Sequence, residues 1–217
     1  MKESDRTVDF YRSVFSKHGA SEAGVGWGMK KLQTKRFESL TRYWELRNKS
    51  VLDIGAGLGD LFDYLKPLGI GEYTGIEQVA EFCDVAMARF HGSGFYFSQS
   101  DIYGTDTFPT VDVTFISGTF NVMKYSSEEE CYSAIDGVLR RLMQSTREGI
   151  AINFLSDDTT FRSPDLFYAN SEMILSLARA VSRRVVLSHF DLPFEFCLYI
   201  WTNDEYLAET SRFLVLP

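Results

Sequence analysis

The sequence predicts an α/β fold: one mostly parallel, doubly wound sheet with helices on both faces. Segments rich in β-branched and aromatic residues alternate with amphipathic helical segments along most of the 217 residues, and this alternation is typical of α/β domains. A glycine-rich turn joins the first predicted strand to the helix that follows it. The last two predicted strands, 184–190 and 194–201, are joined by a short link that permits only an antiparallel pair.

The composition is that of one globular domain. Hydrophobic residues make up 45% of the chain and charged residues 24%, which is ordinary for a domain with a proper core. No apolar run approaches the roughly 20 residues that span a bilayer, and no secretion signal stands at the start, so we expect a cytoplasmic protein without a membrane partner. The net charge of −8 offers no global field for phosphate backbones, which argues against nucleic acid as a partner.

Cysteines and histidines give no sign of a metal site. Cys83, Cys131 and Cys197 are far apart in the sequence, and each lies in an apolar pattern. We therefore expect reduced core thiols rather than disulfides or metal ligands.

Two predicted helices precede the first strand. The first is indicated by apolar residues at helical spacing, namely Val8, Tyr11, Val14 and Phe15. A glycine-rich passage from Gly19 to Gly28 separates it from a second helical pattern that runs from Leu32 to Trp44. We expect residues 1–48 to form a helical cap ahead of a Rossmann-like core over 49–202.

The stretch VLDIGAGLGD, from Val51 to Asp60, is typical of a strand, a tight turn and the start of a helix. Glycine at every second position lets a ligand approach the backbone, and the start of a helix favours electron-rich groups. A nicotinamide fingerprint, G-x-G-x-x-G, would require a third glycine at position 60, where the chain has an aspartate. Other nucleotide binding and a purely structural turn remain open at this point.

This stretch resembles the first motif of class I S-adenosylmethionine (SAM)-dependent methyltransferases. The resemblance implies a seven-stranded sheet with a C-terminal antiparallel hairpin strand, and SAM as the cofactor. In that family the acidic residue of the strand, here Asp53, lies near the aminoacyl end of SAM. The turn residues line its methionine and ribose parts, here Gly55, Ala56, Gly57 and Gly59.

A carboxylate ends the second predicted strand, 73–77. Glu77 follows Asp53 by about two dozen residues, and in a βαβ unit this position comes level with the ribose of a ligand on the first turn. We predict that Glu77 accepts hydrogen bonds from both ribose hydroxyls, with Gln78 beside it. The alternative is a charge that stabilises the start of the next helix.

The third and fourth predicted strands, 95–100 and 111–118, complete the expected SAM site. The resemblance implies that Asp101 meets the adenine amino group and Ile102 packs on the ring, although aspartate is also a common turn residue. It also implies that Ser117 and Gly118 offer carbonyls to the SAM amino group. The passage SGTFN that begins at Ser117 lacks the prolines of amino-base methyltransferases, which argues against a nucleic-acid base as the acceptor.

The acceptor site is predicted from segments near the carboxyl ends of the strands. The exit of the fifth strand (150–155), residues 156–170, is long and aromatic, and we interpret it as a lid, the alternative being a short helix that caps the sheet edge. Residues in these segments are expected to border the acceptor, although the aromatic ones could instead close the core. They are Trp27, Phe120, Asn121, Phe154 and Tyr168.

Two further residues are candidates for the site. Arg36, in the second cap helix, could pair with the SAM carboxylate, as the resemblance implies, or could be solvated like the lysines near it. His189 is the natural general base because its ordinary pKa lies near neutrality. A packed or surface histidine is the alternative.

The sequence thus predicts a SAM-dependent methyltransferase that acts on an O, N or C nucleophile of a small molecule. Its main task is to hold nucleophile, methyl carbon and sulfur in line in a dry pocket. The alternative is a SAM-binding protein without methyltransferase activity or with another SAM-dependent reaction.

Overall fold

The computed structural model describes residues 4–19, 30–92 and 95–203. Its helices are α1 (Ser4–His18), α2 (Lys30–Thr41), α3 (Asp60–Leu65), α4 (Ala80–Arg89), α5 (Glu128–Ser145) and α6 (Ser171–Val181). Its strands are β1 (Ser50–Ile54), β2 (Glu72–Glu77), β3 (Tyr96–Gln99), β4 (Val111–Ser117), β5 (Thr146–Leu155), β6 (Val185–Ser188) and β7 (Glu195–Trp201).

Seven strands of the described chain form one sheet in the order β3-β2-β1-β4-β5-β7-β6. Neighbours from β3 to β5 pair in parallel, whereas β7 runs antiparallel to both β5 and β6. The predicted α/β fold with a C-terminal antiparallel hairpin strand is therefore confirmed. No helix within the described ranges is both long enough and apolar enough to cross a membrane.

Both faces of the sheet are buried by helices. Successive residues of β1 point to opposite faces, so Leu52 joins the core on the α5 and α6 side and Val51 joins the core on the side of α2 and α3. Helix α5 contributes an apolar stripe and begins with a capping box between Ser127 and Glu130. Each of the three cysteines lies buried, as expected of core thiols.

Strand β5 is longer than predicted. It starts at Thr146 instead of Ile150 because a register irregularity between Val111 and Val113 lets Thr146 pair with Val111. Inside the sheet, the hydroxyls of Thr114 and Thr146 are 2.7 Å apart, and this buried hydrogen bond satisfies two polar groups that the apolar pattern of the strand does not predict.

Residues 156–170 contain no helix, so the helical alternative for this segment is wrong. Two isolated β-bridges fix the position of this segment, one between Leu166 and Val122 and one between Ala169 and Ser156. Phe167, in its middle, is only 1% exposed. The segment is thus partly core and connects β5 to α6 beside the loop that follows β4.

Candidate functional site

A cleft lies at the carboxyl ends of β1, β2 and β4. In open α/β sheets this edge is the usual place for a ligand, because the strand order reverses there. The wall includes residues that follow each of these strands and residues of α1 and α2, among them Thr7, Tyr11, Gln33, Gly55, Glu77, Tyr103, Ser117 and Thr119.

The turn after β1 requires its glycines for both backbone angle and space. Gly55, Gly57 and Gly59 have φ values of 75°, 56° and 82°, which side chains rarely allow. A Cβ atom at Gly55 would lie 2.1 Å from Thr119 Oγ1, and one at Gly59 would lie 2.4 Å from a ring carbon of Phe90. The glycines therefore let the turn pack closely against the structure around it and leave backbone exposed to the cleft.

Asp53 is a buried carboxylate at the floor of the cleft. Its Oδ2 accepts a hydrogen bond of 2.6 Å from the Tyr73 hydroxyl. Burial raises the pKa of Asp53 to about 7; the Tyr73 bond opposes this shift, and the nearby carboxylates of Glu77 and Asp60 add to it. A cationic group beside Asp53 would favour its ionised form.

Glu77 fastens the end of β2 to the glycine turn. Its Oε1 accepts from the Val79 N–H at 2.7 Å and its Oε2 from the Gly57 N–H at 2.8 Å. Burial raises the pKa of Glu77, and these backbone bonds oppose that effect. Val79 is also the N-cap of α4. Glu77 therefore binds the start of that helix and also lines the cleft. The Gln78 N–H interacts with the same carboxylate, so three backbone groups share its four lone-pair positions.

Helix α1 lies across the cleft. Tyr11 and Phe15 meet the ring of Phe82 on α4 edge to face, with centroids 5.9 Å and 5.2 Å away, and Arg12 pairs with Glu81. Burial and the nearby Glu77 carboxylate raise the pKa of Tyr11. Helix α1 therefore packs on α4 beside the cleft, and Tyr11 forms part of the cleft wall.

Helix α2 reaches the glycine turn through a polar contact. Gln33 Nε2 donates to Asp60 Oδ2 at 3.1 Å, and Arg89 Nη1 donates to the other oxygen of the same carboxylate at 2.6 Å. Asp60, the residue at which the nicotinamide fingerprint fails, thus joins the cap to the start of α3.

Three buried polar atoms of cleft residues have no hydrogen-bond partner within the described part of the chain: Thr7 Oγ1, Asp53 Oδ1 and Ser117 Oγ. Buried polar groups are normally satisfied, and these three belong to different elements that converge on one space. A polar ligand with donor groups would supply the partners, so the cleft fits a ligand such as SAM.

The structure brings most of the predicted cofactor residues together. Those that line the cleft are Asp53, Gly55, Ala56, Gly57, Glu77, Gln78, Ile102 and Ser117. Gly59 instead forms the left-handed N-cap of α3. Asp101 lies beside the wall, where its Oδ1 accepts from the Tyr103 N–H at 3.0 Å and is 3.4 Å from Lys124 Nζ.

Gly118 and Arg36 are placed differently from the expectation. The Gly118 carbonyl accepts from the Asn121 N–H at 3.1 Å, and Gly118 is absent from the residues that line the cleft. Arg36 lies outside the cleft wall and forms a buried, two-pronged ion pair with Glu195 at the start of β7. Its guanidinium therefore has a partner of this chain where a SAM carboxylate was expected.

The residues expected to border the acceptor do not line the cleft. Phe120 and Phe154 are 2% and 0% exposed and stack on each other in the core, where Phe154 also stacks on Phe196. Asn121 Oδ1 accepts from the Leu155 N–H, and the Tyr168 hydroxyl accepts from the Ser163 N–H. Aromatic residues near a strand end close a core as readily as they line a site. Trp27 lies outside the described residues.

His189 and the 156–170 segment also lie away from the cleft. His189 is exposed, follows the edge strand β6 and packs on the Phe196 ring at 5.1 Å. Arg162, Pro164 and other residues of the 156–170 segment line a separate surface pocket. Among the described residues, the cleft wall includes residues of α1 and none of the 156–170 segment; a role of that segment over the acceptor stays a prediction.

Sequence reasoning missed several residues of the wall. Thr7, Gln33 and Thr119 line it, but single polar residues in helices and turns carry no motif. Tyr11 was visible only as part of an apolar helical stripe. Asn153, whose side chain contacts the end of β4, was hidden inside a buried strand.

The comparisons with known proteins agree with this geometry. Residues 52–142 match the family model for a methyltransferase domain. A protein of Mycobacterium tuberculosis (strain ATCC 25618 / H37Rv) named "Putative methyltransferase Rv1506c" is 31% identical over 155 residues, which is 70% of this chain and 92% of that protein.

Solved structures share the fold at low sequence identity. Magnesium protoporphyrin IX methyltransferase from Synechocystis PCC 6803 with bound SAM has a TM-score of 0.66 and 14% identity, and the match covers 93% of this chain and 97% of that one. A SAM-dependent methyltransferase of the DUF858 family from Leishmania major has a TM-score of 0.71 and 16% identity, covering 92% and 82%. The chain belongs to the class I SAM-dependent methyltransferases, and its cofactor is SAM.

Proposed function

We propose that this methyltransferase transfers a methyl group from SAM to an O, N or C nucleophile of a small molecule. The observation that carries the proposal is the position of α1, which contributes Thr7 and Tyr11 to the cleft wall. A cleft with a helix in its wall, lined by apolar side chains and a few polar groups, is typical of sites that bind small ligands. The net charge of −8 also disfavours a polyanionic substrate.

A structural neighbour supports the same substrate class. By its name, the Synechocystis enzyme methylates magnesium protoporphyrin IX, which is a small molecule. At 14% identity that likeness concerns the fold, so the porphyrin itself is not carried over to this chain.

In this proposal different cleft residues bind different parts of the SAM molecule. Glu77 accepts hydrogen bonds from the ribose hydroxyls, and Ile102 packs on the adenine beside Asp101. Asp53 and the Ser117 carbonyl face the ammonium of the methionine part. The unpaired Asp53 Oδ1 and the pKa of about 7 favour this arrangement, because a neighbouring cation stabilises the ionised carboxylate.

The chemistry requires positioning more than acid or base catalysis. When bound, SAM supplies a methyl group that is activated by the sulfonium. The chain contributes a dry wall formed by apolar residues of α1, α2 and α4, and fixed polar groups that align the donor with the acceptor.

The test combines binding with product analysis. Purified protein is titrated with SAM and with NAD by calorimetry, then incubated with methyl-labelled SAM and separate metabolite, nucleic-acid and protein fractions. We expect SAM binding and label in the metabolite fraction, with both reduced in a Glu77→Gln control. Label confined to macromolecules would refute the small-molecule acceptor, and SAM binding without any transfer would favour a binding role.

A further inference from the structure

Four residues are linked by a series of buried hydrogen bonds that runs from helix α2 to the end of β4. The Gly118 N–H donates to Asn153 Oδ1 at 2.8 Å, and Asn153 Nδ2 donates to Glu195 Oε2 at 3.1 Å. Arg36 Nε donates to the same Glu195 oxygen at 2.6 Å, and Arg36 Nη2 binds the other oxygen. Arg36, Asn153 and Glu195 are all buried.

The first link of this chain sets the direction of one peptide group. In a trans peptide the N–H and the C=O point in opposite directions, and the described residues contain no cis peptide bond. Asn153 on β5 holds the Gly118 N–H, so the Ser117 carbonyl of the same peptide points away from β5, toward β1 and the glycine turn. Ser117 lines the cleft on that side.

Gly118 lies just beyond the end of β4, so the strand ladder does not fix the orientation of its peptide group. It has a φ of 75° and is the N-cap of a single 3₁₀ turn, Thr119–Asn121, whereas the strand ladder of β4 ends at Ser117. The amide of Asn153 is oriented in turn by Glu195, and Glu195 by Arg36. An amide whose oxygen and nitrogen are both engaged cannot flip without losing both bonds.

We propose that Asn153, oriented by Glu195 and Arg36, is a positioning residue that holds the Ser117 carbonyl toward the ammonium group of SAM. This inference rests on the proposed place of the SAM methionine part beside Ser117. It assigns Arg36 an indirect role through Glu195 in place of direct contact with SAM. Helix α2 then acts on the cleft twice, through Gln33 at the glycine turn and through Arg36 at the end of β4.

Asn153 is the residue to change because it is neutral. Removing Arg36 or Glu195 would leave a buried charge without its partner, which destabilises a fold strongly for reasons unrelated to SAM. Thr114→Val is the matched control, since it breaks a buried side-chain bond between the same two strands, three residues before Ser117. Both variants should lower the melting temperature.

The test measures binding of SAM and of methylthioadenosine, which keeps the adenosine and the S-methyl group, has an uncharged thioether in place of the sulfonium, and has neither ammonium nor carboxylate. Asn153→Ala should weaken SAM binding about tenfold and leave methylthioadenosine binding unchanged, whereas Thr114→Val should leave both unchanged. Equal weakening of both ligands in Asn153→Ala, or of neither, would overturn the proposal.

Asn153→Asp provides a second reading if the alanine variant does not fold. An aspartate has nearly the same shape and keeps an oxygen for the Gly118 N–H, which is the bond on which the proposal depends. Its SAM affinity should stay within about threefold of wild type at the same pH; a selective loss as large as tenfold would overturn the proposal. Because the readout is binding, it stands even if the protein methylates no small molecule.

Discussion

Asp53→Asn should make the protein more stable above neutral pH while weakening SAM binding. The pKa of Asp53 rises from 3.8 to about 7 on folding, mainly through burial. The stability that the protonated Asp53 gives the fold is fully present below about pH 4. It is lost as the pH rises from there through about 7. Each pKa unit corresponds to about 1.4 kcal/mol, so ionised Asp53 destabilises the fold by about 4 kcal/mol, to order of magnitude, above that window.

Urea unfolding at about pH 5 and about pH 8 measures this effect. Wild type should lose several kcal/mol more than Asp53→Asn between the two pH values, because the asparagine cannot ionise but can still accept from Tyr73. The variant retains Glu77, whose pKa is also raised by burial, so the difference between the two proteins reports on Asp53 together with its repulsion from Glu77. Identical pH dependence of the two proteins would refute the reasoning about Asp53.

SAM affinity should show the opposite trend in the wild type. The ammonium of SAM favours the ionised carboxylate, so the dissociation constant should fall as the pH rises through about 7, by at most about tenfold per pH unit. Asp53→Asn should bind SAM more weakly at about pH 8 and should lose most of this pH dependence. Calorimetric titrations that show no pH effect, or wild-type affinity in the variant, would place the ammonium elsewhere.

Three further substitutions test other parts of the site. Glu77→Ala should weaken SAM binding by about 1.5–3 kcal/mol, the value of a hydrogen bond to a charged group; unchanged calorimetric affinity would remove Glu77 from the site. His189→Ala should leave the turnover rate within about twofold, since His189 is exposed and outside the cleft; a large loss of kcat would restore the general-base hypothesis. Gly59→Ala should destabilise the fold by at least about 1 kcal/mol in urea unfolding, because φ is 82° and the new Cβ would meet Phe90; wild-type stability would contradict this.

The acceptor side shows where sequence reasoning failed. Phe120, Phe154 and Tyr168 were expected near the acceptor because they follow or end strands at the carboxyl edge. That edge has two faces, however, and the packing of α5 and α6 against one of them buries Phe120 and Phe154 in the core. Which face a residue joins depends on strand register and helix packing, and neither can be read from an isolated aromatic residue.

The sequence by itself determined the alternation of strands and helices, the glycine turn and the position of Asp53 and Glu77 at the ends of their strands. These follow from local physics, because period-two and helical patterns define the elements and successive parallel strands end at one edge. Only the tertiary structure decided that Thr7 and Tyr11 of α1 line the cleft and that Arg36 pairs with Glu195, 159 positions away. Such partners depend on how β5, β7 and α2 are arranged next to one another in space. The same arrangement connects Arg36, through Glu195 and Asn153, to the turn at Gly118 and keeps Arg36 out of the cleft wall.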